Sequence, residues 1–97
     1  MESQKQEKTK VKEEYQILLF YKYVNIEKPK TLVKEQKKLW KDLGLVGRMI
    51  IAKEGINVTL EGEREATEKY IKIMEQDERF TDIHWKKSIG TGKAFRK

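Results

Sequence analysis

The chain has 97 residues, no cysteine, and 22 basic against 16 acidic side chains, which gives a formal net charge of +6. This length predicts one domain that can bury roughly 65% of its unfolded surface, and the lack of cysteine excludes disulfides, thiolate zinc sites and cysteine nucleophiles. No apolar segment reaches the roughly 18 residues of a membrane span, and the first residues lack the apolar core of a secretory signal. We therefore expect a soluble, cytoplasmic protein with no membrane partner.

The charge is concentrated at one end of the sequence. Residues 1–14 contain four lysines and four glutamates, residues 15–83 contain 13 basic and 12 acidic side chains, and residues 84–97 contain five basic side chains and no acid. A basic segment that also holds Trp85 and Phe95 suits a phosphate-rich partner, although a solubilising tail has the same composition. Residues 1–14 are polar and aperiodic, which predicts a disordered tail.

A strand followed by a helix is predicted first. The segment QILLFYKYVNI, residues 16–26, is rich in aromatic and aliphatic side chains, and apolar residues on both of its faces favour a central strand. Pro29 ends this strand, Thr31 is the predicted N-cap of a helix, and Gly44 is its predicted end. The apolar face of the helix is predicted from residues at helical spacing: Leu32, Gln36, Leu39, Trp40 and Leu43.

Two strands, over residues 45–53 and 56–62, follow this helix. A tight turn at Glu54 and Gly55 is predicted to join them, because glycine takes a positive φ at no steric cost. The second strand alternates between apolar and polar residues, which is typical of a half-buried strand. Its apolar side has Ile56, Val58 and Leu60, and its polar side has Asn57, Thr59 and Glu61.

A second helix and a last strand complete the predicted elements. The helix spans residues 63–80, and its apolar stripe is formed by Ala66, Tyr70, Ile73 and Met74. The strand spans residues 81–88, with one face formed by Ile83 and Trp85 and the other by His84, Lys86 and Ser88. The order β-α-β-β-α-β predicts an α+β, ferredoxin-like sandwich over residues 15–89, in which two helices cover one face of a four-stranded antiparallel sheet. Residues 90–97 are predicted to be a basic linker.

The common catalytic and metal-binding patterns are absent from the sequence. The segment GTGK, Gly90–Lys93, lacks the first glycine of a phosphate-binding loop and has Ala94 where that loop needs a hydroxyl residue. A single histidine, His84, without cysteine predicts no zinc site. We therefore expect no catalytic residue, no metal and no cofactor.

Two protein classes with the predicted topology can be compared with this sequence. Acylphosphatases use a glycine-rich loop with an arginine after the first strand, and here that loop is NIEKPKT, with neither residue. RNA-recognition modules stack bases on aromatic residues of their two central strands. The first strand offers Phe20, Tyr21 and Tyr23, but the third offers no aromatic residue. A standard module of that type is not expected, and an RNA-binding sheet face remains open.

Several segments carry a family resemblance over residues 21–97. The segments YKYVNIEKP, LGLVGRMIIAKEGINVTLEG, DERFTDIHWKKS and AF resemble the N-terminal domain of the rhodanese-like tRNA uridine(34) hydroxylases. The most specific matching positions are Gly47, Arg48, Ala52, Glu54, Gly55, Ile56, Asn57, Thr59 and Gly62. One departure is Val58, where the family usually has glycine, a residue that would allow close backbone approach.

The resemblance implies an acylphosphatase-like domain that is joined to a rhodanese domain in a parent protein. Such proteins take part in the oxygen-dependent 5-hydroxylation of the wobble uridine of tRNA, and the required cysteine lies in the rhodanese domain. The implied function of this chain is that of a non-catalytic module that helps bind tRNA. The alternative is a structural domain that docks on the rhodanese domain without contacting RNA.

Candidate RNA contacts are basic or amide side chains near the hairpin and in the last segment. They are Arg48, Asn57, Lys86, Lys87, Lys93, Arg96 and Lys97. Arg48 suits phosphate because its planar guanidinium makes bidentate contacts, but both sides of the segment MIIA are apolar, so the sequence leaves the face of Arg48 open. A structural ion pair between Arg48 and Glu54, or a domain–domain contact, is the alternative. Trp85 is expected in the core rather than as a stacking platform.

Overall fold

The computed structural model describes residues 15–92 and contains a four-stranded antiparallel sheet with two helices. The elements are β1 (Tyr15–Tyr23), α1 (Pro29–Leu43), β2 (Val46–Ala52), β3 (Gly55–Glu63), α2 (Arg64–Glu75), a 3-10 helix (Glu78–Phe80) and β4 (Lys86–Ile89). The strand order is β2-β3-β1-β4, and every neighbouring pair is antiparallel. The predicted ferredoxin-like fold and the central position of the first strand are therefore confirmed. The predicted tail over residues 1–14 and residues 93–97 of the linker lie outside the described residues.

Helix α1 begins two residues before the predicted cap. Pro29 occupies its first position, Lys28 is the N-cap, and no side chain caps the helix, so the prediction of Thr31 as N-cap was wrong. Proline suits this position because its fixed φ is already helical and its missing N–H would have no partner there. Gly44, in the left-handed conformation at φ 74°, ends the helix as predicted.

The chain leaves β1 at Tyr23, which is three residues earlier than predicted. It nevertheless stays beside the β2–β3 turn, since the Val24 N–H donates to the Glu54 carbonyl at 3.0 Å and the Ile26 N–H donates to the Lys53 carbonyl at 2.9 Å. Ile26 is fully buried. The loop after β1 is therefore anchored to the hairpin, although it is not a strand.

Two glycines of the hairpin permit close contact between strands. The turn consists of Lys53 and Glu54, so the prediction that placed Gly55 in it was wrong: Gly55 is the first residue of β3. Its φ is 156°, and a Cβ there would collide with the Lys22 carbonyl oxygen of β1. A Cβ at Gly47 would likewise collide with the carbonyl oxygen of Thr59. Only glycine fits at these positions without displacing backbone.

Helix α2 is shorter than predicted, and its buried stripe differs by one position. The helix ends at Glu75 because Asp77 begins a separate turn, in which its carboxylate accepts the Arg79 N–H at 3.0 Å and pairs with the guanidinium at 2.6 Å. The side-chain hydrogen bond from the Arg79 guanidinium lowers the pKa of the Asp77 carboxyl group. Ile73, predicted in the stripe, is 41% exposed. The residues of α2 that are buried are Thr67, Tyr70, Ile71 and Met74.

The core lies between the sheet and the two helices. Trp85 belongs to it as predicted, since its ring centroid lies 4.5 Å from that of Phe20 and 6.1 Å from that of Tyr70. Val58 is fully buried in the same core. Its side chain lies on the helix side of the sheet and packs into the core there, so it is not part of the opposite face.

Gln36 joins the two helices inside this core. It is 4% exposed, and its Oε1 accepts hydrogen bonds from Trp40 Nε1 at 3.2 Å and from the Tyr70 hydroxyl at 2.6 Å. Its Nε2 donates to Met74 Sδ at 3.3 Å. Burial raises the pKa of Tyr70, so the phenol stays protonated and remains a donor at neutral pH. Gln36, which the sequence placed in the apolar stripe of α1, is therefore a buried polar residue that links α1 to α2 by hydrogen bonds.

Candidate functional site on the free face of the sheet

The sheet face opposite the helices, the free face, carries most of the predicted site. Cross-strand partners share a face, and on β1 the buried residues Leu18 and Phe20 alternate with the exposed residues Leu19 and Tyr21. The free face therefore holds the partners of the exposed residues. Its main side chains are Leu19, Tyr21 and Tyr23 of β1, Arg48 and Ile50 of β2, Asn57 and Thr59 of β3, and Lys86 of β4.

One row of this face crosses all four strands and ends in a cation on each side. Arg48 pairs with Thr59, Thr59 with Leu19, and Leu19 with Lys86. Three strand spacings of about 4.8 Å place the Cα atoms of Arg48 and Lys86 about 14 Å apart across the sheet. Both cations are exposed, and within residues 15–92 neither forms an ion pair. The alternative ion pair of Arg48 with Glu54 is therefore not formed.

The neighbouring row carries exposed aromatic, amide and aliphatic groups. Ile50 pairs with Asn57, and Asn57 pairs with Tyr21. Ile50 is 70% exposed, Tyr21 is 62% exposed, and Tyr23, next along β1 on the same face, is 81% exposed. The Asn57 side chain is exposed and makes no hydrogen bond to another residue of the described chain. These groups are available to a ligand.

Two grooves flank the pair of Tyr21 and Asn57. The first has a volume of about 470 Å³ and lies toward Tyr23 and Ile50. The second has a volume of about 320 Å³ and lies toward His84 and Lys86. Both grooves include Tyr21 and Asn57 in their walls. The pair therefore forms the ridge between two depressions.

The structure separates Lys87 from the other candidates. Lys87 pairs with Leu18, whose side chain faces the helices, and its ammonium group lies 3.0 Å from the carboxylate of Glu68 on α2. Three of the seven predicted contacts share the free face, namely Arg48, Asn57 and Lys86. Lys93, Arg96 and Lys97 lie outside the described residues. Of the resemblance positions, Thr59 joins the free face, whereas Gly47, Gly55 and Ile56 serve the packing of the hairpin.

A buried carboxylate at the edge of this face was missed by sequence reasoning. Glu61 is 1% exposed, and its Oε2 accepts the N–H groups of Thr91 at 2.8 Å and Gly92 at 2.9 Å. The Gly90 N–H donates to the Tyr15 carbonyl at 3.0 Å. The GTG segment, rejected above as a phosphate loop, thus binds the chain's own carboxylate with its amides. We call this contact the Glu61 latch.

Replacing Glu61 by glutamine is expected to lower the free energy of unfolding by about 1 to 2 kcal/mol, since two charge-assisted hydrogen bonds become neutral ones. Urea denaturation measures the loss, and amide hydrogen exchange reports the release of Gly92. Glu75→Gln is the matched control, because Glu75 is exposed at the end of α2. Equal protection of the Gly92 amide in wild type and Glu61→Gln would contradict the assignment.

Neither a metal-binding cluster nor a membrane-spanning helix is present among the described residues. Among residues 15–92 there is no group of three or more His, Asp or Glu side chains that could hold a metal ion. None of the helices in that part of the chain is long and apolar enough to cross a membrane.

Comparison with known proteins identifies similar chains. A family model described as the UPF0176 acylphosphatase-like domain matches residues 15–97. Proteins named tRNA uridine(34) hydroxylase are 49% identical over 83 residues in Enterococcus faecalis, 44% over 87 residues in Bacillus licheniformis and 45% over 84 residues in Staphylococcus carnosus. These matches cover 86%, 90% and 87% of this chain, respectively, but only 26%, 27% and 26% of the relatives. The chain thus spans about a quarter of the length of these relatives.

Proposed function

Because the chain belongs to the family of UPF0176 acylphosphatase-like domains, we propose that it is a module of a larger tRNA-modifying protein and helps that protein bind tRNA. The relatives named tRNA uridine(34) hydroxylase suggest the activity of the parent protein. In this proposal a rhodanese domain of the same parent supplies the cysteine, of which this chain has none, and the module contributes no catalytic group. The parent acts in the cytoplasm, where its tRNA substrate is found.

The observation that carries the proposal is the composition of the free face. It combines two exposed tyrosines with an unengaged amide and with cations at both sheet edges. Cations bind the phosphate backbone of RNA, and exposed aromatic rings on a sheet bind its bases. The contact between cations and phosphates is electrostatic, so the affinity for RNA is predicted to depend on the salt concentration.

Binding of an anticodon stem-loop RNA to the chain is expected to weaken as salt rises. If about five phosphates are neutralised, the slope of log affinity against log salt is roughly −3.5. Lys86→Ala removes one phosphate contact and is expected to reduce the slope by about 0.7. Fluorescence anisotropy with labelled RNA over a salt series measures both quantities.

The neighbouring residue provides a control with the same change in charge. Lys87→Ala also removes one positive charge, but on the helix side of the sheet, where Lys87 pairs with Glu68. Its slope is expected to equal that of wild type. Equal losses in the two variants would mean that net charge, rather than the free face, determines binding, and a salt-independent affinity would contradict the electrostatic contact altogether.

The second candidate function is docking on the rhodanese domain of the parent protein. It is favoured by the apolar side chains Leu19, Val46 and Ile50, which are 39%, 43% and 70% exposed. An NMR titration of the chain with the stem-loop RNA distinguishes the two functions. Shifts at Arg48, Asn57 and Lys86 that diminish with salt favour tRNA binding, whereas unchanged spectra at high RNA concentration favour docking.

A further inference from the structure

We propose that Tyr21 and Asn57 form a binding site for unpaired bases, in which a base stacks on the Tyr21 ring and the Asn57 amide hydrogen-bonds to the edge of that base. This inference rests on the proposed RNA-binding function and narrows it. It specifies that the free face binds single-stranded RNA rather than helical RNA. It also assigns sequence preference to Asn57.

The exposed rings of β1 provide the stacking surface. Tyr21 and Tyr23 lie on a central strand, yet they are 62% and 81% exposed. Two large aromatic side chains that no other part of the described chain covers are unusual on a central strand. Their centroids lie 5.8 Å apart with the ring planes tilted by 59°, so the two rings do not cover each other by stacking. Every base has a π-face that can stack on such a ring.

The Asn57 side chain lies where it can hydrogen-bond to a base that is stacked on the Tyr21 ring. Asn57 pairs directly with Tyr21 across β3 and β1, which sets the two Cβ atoms about 5 Å apart. A carboxamide has both donors and an acceptor, and that of Asn57 makes no hydrogen bond within the described chain. It can therefore pair with the polar edge of a base that lies on the neighbouring ring.

The grooves on either side indicate the path of the RNA strand. One groove, toward Tyr23 and Ile50, can take a second base beside the one on Tyr21. The other, toward His84 and Lys86, leads the backbone to a cation. Bases within a duplex are stacked and paired with each other, so they cannot lie on a flat sheet in this way.

The exposed cations beside the pair favour a phosphate-bearing partner over an apolar protein surface. Lys86 and Arg48 are exposed cations, whereas two nearby carboxylates already have partners. The Glu61 carboxylate accepts backbone N–H groups in the Glu61 latch, and that of Asp82 lies 2.6 Å from Lys22, whose hydrogen bond lowers its pKa. The other carboxylate in the groove walls, Glu54, lies at the β2–β3 turn beside Tyr23, so the attraction for phosphate comes from Arg48 and Lys86 in the neighbouring row.

The test compares binding of single-stranded oligouridine with binding of an RNA duplex of equal length by fluorescence anisotropy. Wild type is expected to prefer the single strand. Tyr21→Leu keeps the apolar side chain but removes the ring, and it is expected to weaken single-strand binding about tenfold. Tyr21→Phe keeps the ring and is expected to stay within about twofold of wild type. Asn57→Ala is expected to reduce discrimination between oligouridine and oligoadenine.

The outcomes separate this inference from the function on which it rests. If wild type binds neither of these RNAs nor the anticodon stem-loop, both the proposed function and this inference are overturned, and the free face is left to docking on another protein domain. If wild type binds RNA but prefers the duplex, or if Tyr21→Leu binds the single strand as well as Tyr21→Phe does, only the base-binding site is overturned. Ultraviolet cross-linking of oligouridine to the peptide that contains Tyr21 would give direct support, and one-dimensional NMR spectra establish that each variant is folded.

Discussion

Gly55→Ala is expected to lower the free energy of unfolding by about 3 to 4 kcal/mol, which is a large fraction of the stability of a domain of this size. The new Cβ would collide with the Lys22 carbonyl oxygen and lie 3.1 Å from the Tyr23 Cα. These atoms are backbone of a central strand, so no side-chain rotation relieves the contact. Overpacking of this kind typically costs about 1 to 3 kcal/mol, and a φ of 156°, which residues with a side chain rarely adopt, adds about 1 kcal/mol or more. Thermal and urea unfolding measure the loss.

Gly44→Ala is the control that separates the collision from the backbone conformation. Gly44 also has a positive φ, of 74°, but a Cβ there has nothing within 4 Å. Its replacement is therefore expected to cost only about 1 kcal/mol. If the two variants lose equal stability, the close approach of β3 to β1 is not what requires glycine at residue 55.

Gln36→Leu is expected to lower the free energy of unfolding by about 3 kcal/mol, although leucine is apolar and similar in size. The substitution leaves the Trp40 N–H and the Tyr70 hydroxyl without their shared acceptor inside the core. Each buried donor without a partner costs about 1 to 3 kcal/mol. Urea denaturation at neutral pH, where the raised pKa of Tyr70 keeps the phenol protonated, measures the effect.

A double-mutant cycle with Tyr70→Phe tests the mechanism. Removing the hydroxyl from wild type should destabilise the protein, because Tyr70 loses a hydrogen bond of 2.6 Å to Gln36. Removing the hydroxyl from the Gln36→Leu variant should raise its free energy of unfolding by about 1 kcal/mol or more, because the buried hydroxyl without a hydrogen-bond partner is no longer present. Additive losses in the two variants would show that Gln36 acts through packing alone.

The fold was predictable because its elements have clear periodicity. The alternation of residues 56–61 and the helical spacing of residues 32–43 depend only on which side of each element faces the core. The end of α2 was harder to predict from the sequence, because the amphipathic pattern continues past Glu75 to the buried Phe80. A local hydrogen bond from the Arg79 N–H to Asp77 interrupts the helix there, and periodicity does not detect such a contact.

The candidate site was predictable only in part, because its members meet across strands. The face of Arg48 depends on the β2–β3 register, which the apolar run MIIA does not determine. The separation of Lys87 from Lys86 follows from strand alternation alone, so a period of two could have excluded Lys87 from the free face. The Glu61 latch joins Glu61 to Thr91 and Gly92, which follow it by 30 and 31 positions in the sequence. Such a contact is evident only in the tertiary structure.

The two edges of the sheet carry different protection against self-association. β4 is four residues long and carries Lys86 and Lys87, which are features that discourage another strand from adding to an edge. β2 is a seven-residue edge strand, VGRMIIA, in which Arg48 is the only charge. Arg48 is therefore the charge that discourages another strand from pairing with this edge. A variant that neutralises Arg48 leaves β2 without a charged side chain, so it is expected to aggregate more readily, and colloidal stability constrains this position independently of any ligand.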